Sequence, residues 1–342
     1  MQSLLEMRNL TVELPTPGGW VRPVNDASLS LAAGEALGLL GESGSGKTML
    51  SLALMGLLPR GARVSGQVWF AEPNGTRDGI DHEKRAAESR GQRDLIALDA
   101  PGRAALRGRA LSMIFQEPMT SLNPVMRVGA QVAEAVRVRD ASLPRQQVAR
   151  SVLEAFERAR IPDPELRARQ FPHQLSGGLR QRVMIAMAVA GGPRVLIADE
   201  PTTALDVTVQ EQILELLATL RGELGLALLF ITHDLAVVAR VAQRIAVLYA
   251  GRVVEVGPAS EILARPRHPY TQGLLRASPR MKRETLEPIP GAVPRLDALP
   301  PGCAFAPRCP QVRAECEQAV PRLRRAGPEH LARCILVQEA AP

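Results

Sequence analysis

At 342 residues, 46% hydrophobic and 23% charged, the chain has enough apolar material for one large or two ordinary cores, which excludes a disordered polymer. Only 3% of residues are aromatic, which argues against a base-stacking surface, and the formal charge of +7 rests on 42 basic residues, all but three of them arginine. Four cysteines are too few for a disulfide framework of this length, yet all four lie beyond residue 300.

In chain order, the first residues, Met1 to Glu6, show no basic segment leading into an apolar one, so no secretory signal is expected. No apolar run approaches the roughly 18 to 20 residues of a membrane-spanning helix. The expectation is a soluble intracellular chain whose membrane role, if it has one, runs through a partner. Short strands are predicted at 4–7, 10–14 and 36–40, with a loop marked by Pro15, Pro17, Gly18 and Gly19. A helix is predicted over 48–58, ending before Pro59, and a strand over 67–70. From Glu72 to about Arg107 the chain is charged and glycine-rich and reads as a mobile surface insertion. Its acids nearly cancel its bases, which disfavours a nucleic-acid arm.

A strand at 111–115 and amphipathic helices at 128–140 and 143–159 follow. The apolar run 183–190 reads as core, and buried strands at 195–198 and 226–231 flank a helix from about 209 to 221. Strands alternating with helices predict an α/β core with a parallel component. After Pro258 proline and arginine become frequent and the apolar period is lost, so a small loop-rich module is expected beyond a boundary near 258–285.

Gly41-Glu42-Ser43-Gly44-Ser45-Gly46-Lys47-Thr48 fits G-x-x-x-x-G-K-[ST], directly after a predicted strand and opening a predicted helix. Glycines let such a loop curl until successive N–H groups point inward at phosphate oxygens, and the helix N-terminus adds a positive dipole end. Lys47 can reach the β- and γ-phosphates of a nucleotide, and the Thr48 hydroxyl can ligate Mg²⁺. The buried strand ending in Asp199-Glu200 supplies a second magnesium ligand in Asp199 and, in Glu200, a group to orient or deprotonate a water. Cys303, Cys309, Cys316 and Cys334 are spaced C-x5-C-x6-C-x17-C; four thiols in a proline-rich stretch suggest a metal staple, with zinc and an iron–sulfur cluster as the choices.

Leu175-Ser176-Gly177-Gly178-Leu179-Arg180-Gln181-Arg182, some twenty residues before Asp199, resembles the signature motif of ATP-binding-cassette (ABC) ATPases. Leu179 stands where glutamine is common in that family. Gln116 is similar to the family's loop glutamine, which senses Mg²⁺ and the membrane partner, Thr203-Ala204-Leu205-Asp206 to its dimer-contact loop, and His233 to its switch histidine. Residues 115–124 (Phe-Gln-Glu-Pro-Met-Thr-Ser-Leu-Asn-Pro), His268 to Leu275 and Gly302 to Cys309 resemble the oligopeptide, dipeptide and nickel importer subgroup.

The resemblance implies a P-loop NTPase cassette over 1–257, with a RecA-like subdomain, an antiparallel β subdomain and a helical signature subdomain at about 118–185. A C-terminal extension with a four-cysteine site would occupy 258–342. It implies an ATPase subunit of an importer at the cytoplasmic face of the inner membrane, working with two permease subunits, a second ATPase subunit (a paralogue) and an extracytoplasmic substrate-binding protein, and with no nucleic acid. ATP and Mg²⁺ are the implied cofactors, with a [4Fe–4S] cluster, or alternatively Zn²⁺, on the four cysteines. Gly41 to Thr48 would hold the phosphates and Ser176, Gly177, Gly178 and Asp206 would complete the opposite subunit's site. Gln116, Glu200 and His233 would act in hydrolysis. Trp20 is either the adenine-stacking aromatic or an ordinary loop residue. Rival readings are a soluble cassette ATPase of DNA repair or translation, and an exporter ATPase.

Overall fold

The computed structural model describes residues 3–71, 92–117, 121–203, 205–278 and 287–338. The chain divides into two compact units, one built from residues 1–32, 36–99 and 232–342, the other from 33–35 and 100–231.

In the first unit, β1 (Ser3–Thr16) and β2 (Gly19–Ala32) form an antiparallel hairpin closed at Pro17-Gly18. Sequence reading splits β1 into two segments and does not find β2. The reason is local: register shifts interrupt the β1–β2 ladder four times and Asn9 and Asp26 take positive φ, so the two-residue alternation that marks a half-buried strand is broken. β4 (Arg63–Ala71) pairs with β1, and β5 (Gln92–Asp94) pairs with β4. The described end of the charged stretch is therefore ordered, contrary to a mobile insertion: Asp94 accepts hydrogen bonds from the Val68 and Ile96 amides and Leu95 is buried. Residues 72–91 lie outside the described residues.

β3 (Ala36–Leu40) is buried at every position, as a strand covered on both faces should be, and runs parallel to β9 (Arg244–Tyr249). It leads into the loop at 41–46 and helix α1 (Lys47–Met55), which Gly56 ends in a left-handed cap, three residues before the predicted stop. β10 (Arg252–Pro258) pairs antiparallel with β9, β12 (His330–Ala332) with β10, and β11 (Arg324–Gly327) with β12. The C-terminal stretch is less loop-rich than its composition suggests. It holds a nine-residue amphipathic helix, Pro269–Ala277, that buries Tyr270, Thr271, Gly273 and Leu275.

In the second unit, β6 (Leu111–Ile114), β7 (Val195–Asp199) and β8 (Ala227–Thr232) form a parallel ladder. The helices Val128–Arg139, Arg145–Arg158 and Gly177–Ala190 pack on one another, and Val132, Val136, Val152, Phe156 and Ile185 on them are buried. The long helix Val207–Leu224 buries Ile213, Leu214, Leu216, Leu217 and Leu220, the 3.6-residue stripe that its sequence displays. No helix among the described residues is long and apolar enough to cross a membrane.

Glu255 on β10 is fully buried, and its carboxyl group is bound by the amides of Arg267 (2.6 Å) and His268 (3.0 Å) and the His330 ring nitrogen Nε2 (2.7 Å). Leaving such a group short of one partner costs about 2 kcal/mol. His330→Ala is expected to lower unfolding stability by about that amount in urea titration; a loss below about 0.5 kcal/mol would show that β12 contributes little to holding the first unit together.

Candidate functional site

In the first unit the loop between β3 and α1 has the shape its glycines predict. Gly46 caps α1 at φ 106°, a conformation closed to most L residues, and a Cβ there would collide with the Pro23 carbonyl oxygen. Ser43, Gly44 and Thr48 are exposed, whereas Lys47 and Ser45 are buried. The Lys47 ammonium donates to the Gly41 carbonyl at 2.7 Å and the Glu42 carbonyl at 2.9 Å, so it is held across the loop. Backbone amides of a curled glycine-rich loop together with a lysine are the chemistry that a polyphosphate takes. The exposed Thr48 hydroxyl is a hard oxygen donor of the kind Mg²⁺ takes. His233 follows the end of β8, exposed, and Asp234 beside it caps the next helix by accepting from the Ala236 and Val237 amides.

In the second unit β7 carries Asp199, buried, to its C-terminal end. Glu200 follows at φ 47°, a left-handed conformation costing of order 1 kcal/mol in a non-glycine residue. Its amide is fixed by the Ile231 carbonyl at 2.9 Å. The same carboxylate oxygen accepts from the Gln116 side-chain amide at 3.3 Å and from the Thr203 hydroxyl at 2.9 Å. Gln116, Glu200 and Thr203 are thus gathered at one place. The contact of Thr203 with Glu200 had no counterpart in the sequence reading, which gave Thr203 only to a dimer-contact loop.

Ser176 caps the helix Gly177–Ala190 by accepting from the Leu179 amide, and Asp206 caps Val207–Leu224 by accepting from the Val209 amide at 2.9 Å. The two glycines after Ser176 differ. A Cβ on Gly178 would lie 2.9 Å from Val209 Cγ1, whereas one on Gly177 meets only Leu205 Cδ2, at 3.9 Å, and Gly177 is exposed. Gly178 is a packing glycine and Gly177 keeps a surface open. Pro118, Met119, Thr120 and Ala204 lie outside the described residues.

Trp20 sits at the start of β2, paired with Pro15, and the Arg63 guanidinium lies 3.9 Å over its ring. It is therefore a strand residue rather than a loop residue.

Cys303, Cys309, Cys316 and Cys334 all line one small cavity in the first unit, together with His268, Phe305 and Pro321. None is in a disulfide. Burial pushes the Cys303, Cys309 and Cys334 thiols up from their ordinary range, and neighbouring thiols of the set add to the shift. Among the described residues no group of three or more His, Cys, Asp or Glu side chains is drawn together closely enough to hold a metal ion. The cavity nonetheless offers thiol sulfur from all four cysteines, the donor chemistry of zinc or an iron–sulfur cluster. Burial also holds His268 neutral, its pKa lowered to about 4, and its Nδ1 accepts from the Tyr270 amide at 3.0 Å.

Residues 24–203 match the family model described as ABC transporter, and residues 254–316 match the one described as the C-terminal region of oligopeptide/dipeptide transporters. The chain is 46% identical to a protein of Brucella ovis over 99% of each, and 45% identical to one of Brucella melitensis over the same shares; both are named as peptide import ATP-binding proteins. Among solved structures it is similar to a dimeric ATP-binding cassette in a post-hydrolysis state bound to ADP and Pi (TM-score 0.62, 25% identity, 75% of this chain and 98% of the other). A cassette of Clostridium perfringens, part of an ABC transporter complex, is similar at TM-score 0.60 and 26% identity, over 78% of this chain and 92% of the other.

The unequal glycines yield a paired expectation. Gly178→Ala should destabilise the chain by about 1–2 kcal/mol through overpacking against Val209, while Gly177→Ala should leave the thermal midpoint unchanged. Equal melting shifts in the two variants would contradict the packing assignment.

Proposed function

The chain belongs to the ABC transporter family, and from that premise we propose that it is the ATP-hydrolysing subunit of an importer for di- or oligopeptides or a related small solute. The observation that carries the ATPase reading is the loop at 41–48, in which Gly46 at φ 106° and Lys47 held across the loop build a phosphate cradle on a buried strand and a helix N-terminus. The match over 254–316 and the names of the Brucella relatives support peptides as cargo.

The proposed division of labour follows the chemistry of each group. The 41–48 backbone and Lys47 bind and orient the β- and γ-phosphates. Thr48, Gln116 and Asp199 are the oxygen donors that would hold Mg²⁺, which when bound neutralises charge on the transferred phosphoryl group. Glu200, with its carboxylate oriented by Gln116 and Thr203, takes a proton from the attacking water, and His233 contacts the γ-phosphate. Ser176, Gly177, Gly178 and Asp206 serve the nucleotide of a second ATPase subunit, the exposed Gly177 leaving room for it. Two permease subunits, a paralogous second ATPase and an extracytoplasmic binding protein complete the assembly, at the cytoplasmic face of the membrane. The four cysteines, which line one cavity though not drawn together into a ligand set, would be the residues to hold a [4Fe–4S] cluster, with Zn²⁺ as the alternative.

Glu200→Gln should retain ATP binding, lower the hydrolysis rate by 100-fold or more, as expected for loss of a general base (about 10²–10⁴), and accumulate as a closed dimer in size-exclusion chromatography with ATP. Turnover within about tenfold of the parent would remove Glu200 from that role. Affinity purification from the native membrane should bring down permease subunits, and recovery of ribosomes or DNA instead would favour a soluble cassette. Anaerobically purified protein should be brown, with about four irons per chain; stoichiometric zinc without iron would overturn the cluster.

A further inference from the structure

We propose that Arg308 and Tyr270, both in the C-terminal extension, are positioning residues for the phosphate loop and act through Glu42. Glu42 is the second residue of that loop, and all three of its polar groups are engaged. Its carbonyl accepts from Lys47, its amide donates to the Tyr270 hydroxyl at 2.9 Å, and its carboxylate accepts a two-pronged pair from Arg308 at 2.7 and 3.1 Å. Two of the three come from residues more than 220 positions away in the chain.

The guanidinium is itself fixed. Arg308 Nε donates to the Pro290 carbonyl at 2.9 Å, and Nη1 also reaches the Tyr249 hydroxyl at 3.3 Å. The Arg308 side chain is only 5% exposed. Phe305, three residues earlier, packs edge-on to Tyr249 at 5.3 Å between ring centroids and against Tyr270 at 5.4 Å. A charged fork locked on both sides is a rigid anchor, unlike a surface ion pair whose worth is lost to side-chain motion.

The amide of Glu42 points at Tyr270, so this residue does not lend its N–H to phosphate; it serves as the handle by which the outer limb of the loop is gripped. The grip also sets where the Gly41 and Glu42 carbonyls sit, and those carbonyls hold Lys47. A loop already in its binding shape loses less freedom when the nucleotide arrives, so the effect falls on affinity more than on the chemical step. Tyr270 suits this task because burial and the Glu42 carboxylate push its ionisation far above the usual range, leaving a neutral hydroxyl oxygen as a constant acceptor.

This inference rests on the reading of residues 41–48 as the nucleotide site. The test is ADP affinity by calorimetry, and KM for ATP against kcat, in Arg308→Met, Arg308→Lys, Tyr270→Phe, Glu42→Ala and the Glu42→Ala/Arg308→Met double variant. Arg308→Met should raise the ADP Kd and the KM about tenfold with kcat within threefold, and Tyr270→Phe, which keeps the ring and its packing, should raise Kd about threefold. Arg308→Lys should recover part of the loss. Because Arg308 acts through Glu42, the double variant should be no weaker than Glu42→Ala alone. Parental affinity in Arg308→Met and Tyr270→Phe, or fully additive losses in the double variant, would overturn the positioning role while leaving the ATPase reading intact. A parent chain that binds no ADP would overturn both.

Discussion

A loop that aims its amides inward at a ligand has few hydrogen bonds left with which to hold its own shape. The loop at 41–46 meets this constraint by being gripped from outside. Lys47 binds two of its carbonyls, the Gly251 amide takes the Ser45 carbonyl at 2.9 Å, and the Pro23 backbone abuts Gly46. Tyr270 and Arg308 take the amide and the carboxylate of Glu42. Apart from the lysine's, these are contacts with segments distant in sequence, so the shape of the loop depends on the first unit as well as on its own eight-residue motif.

The second unit applies a different economy to its functional side chains. Ser176 and Asp206 both cap helices, so the polar groups expected to meet a nucleotide also satisfy amides that the helix would otherwise leave open. Glu200 is held in a left-handed conformation at the end of a fully buried strand, with its amide and carboxylate both tied. Strain of this kind persists only where the surroundings over-determine it, and the neighbouring parallel strands supply that rigidity.

What the sequence made legible were features whose cause is local. The strand before Gly41 is five apolar residues and Val207–Leu224 wears its buried stripe openly, whereas the end of the helix after Gly41 reads in the sequence as lying at Pro59 and falls at Gly56. The motifs at 41–48 and 199–200 stand out in the sequence because phosphate and magnesium chemistry favour particular residue types at short spacing, and 175–182 stands out by its resemblance to a family signature. β2 stayed hidden because bulges broke its alternation, and β5 because three half-buried polar residues, Gln92, Arg93 and Asp94, carry no strand signal. The Arg308–Glu42 pair could not be read at all, since no local pattern marks two residues 266 apart as partners. The same holds for Glu255 and His330, in which a buried carboxyl looks from the sequence like one more surface acid.

Arg308 is the chain neighbour of Cys309, and the stretch from Cys303 to Cys309, which includes the 3₁₀ turn Ala306–Arg308, carries two of the four thiols together with the anchor for Glu42. Thermodynamics makes such a connection run both ways: whatever factor an ordered extension adds to nucleotide affinity, a bound nucleotide must return as resistance of the extension to opening. A chain saturated with ATP would then shield its cysteines from solvent more completely than an idle one. The cell's energy charge and the chemical survival of four thiols would be quantities on the same equilibrium.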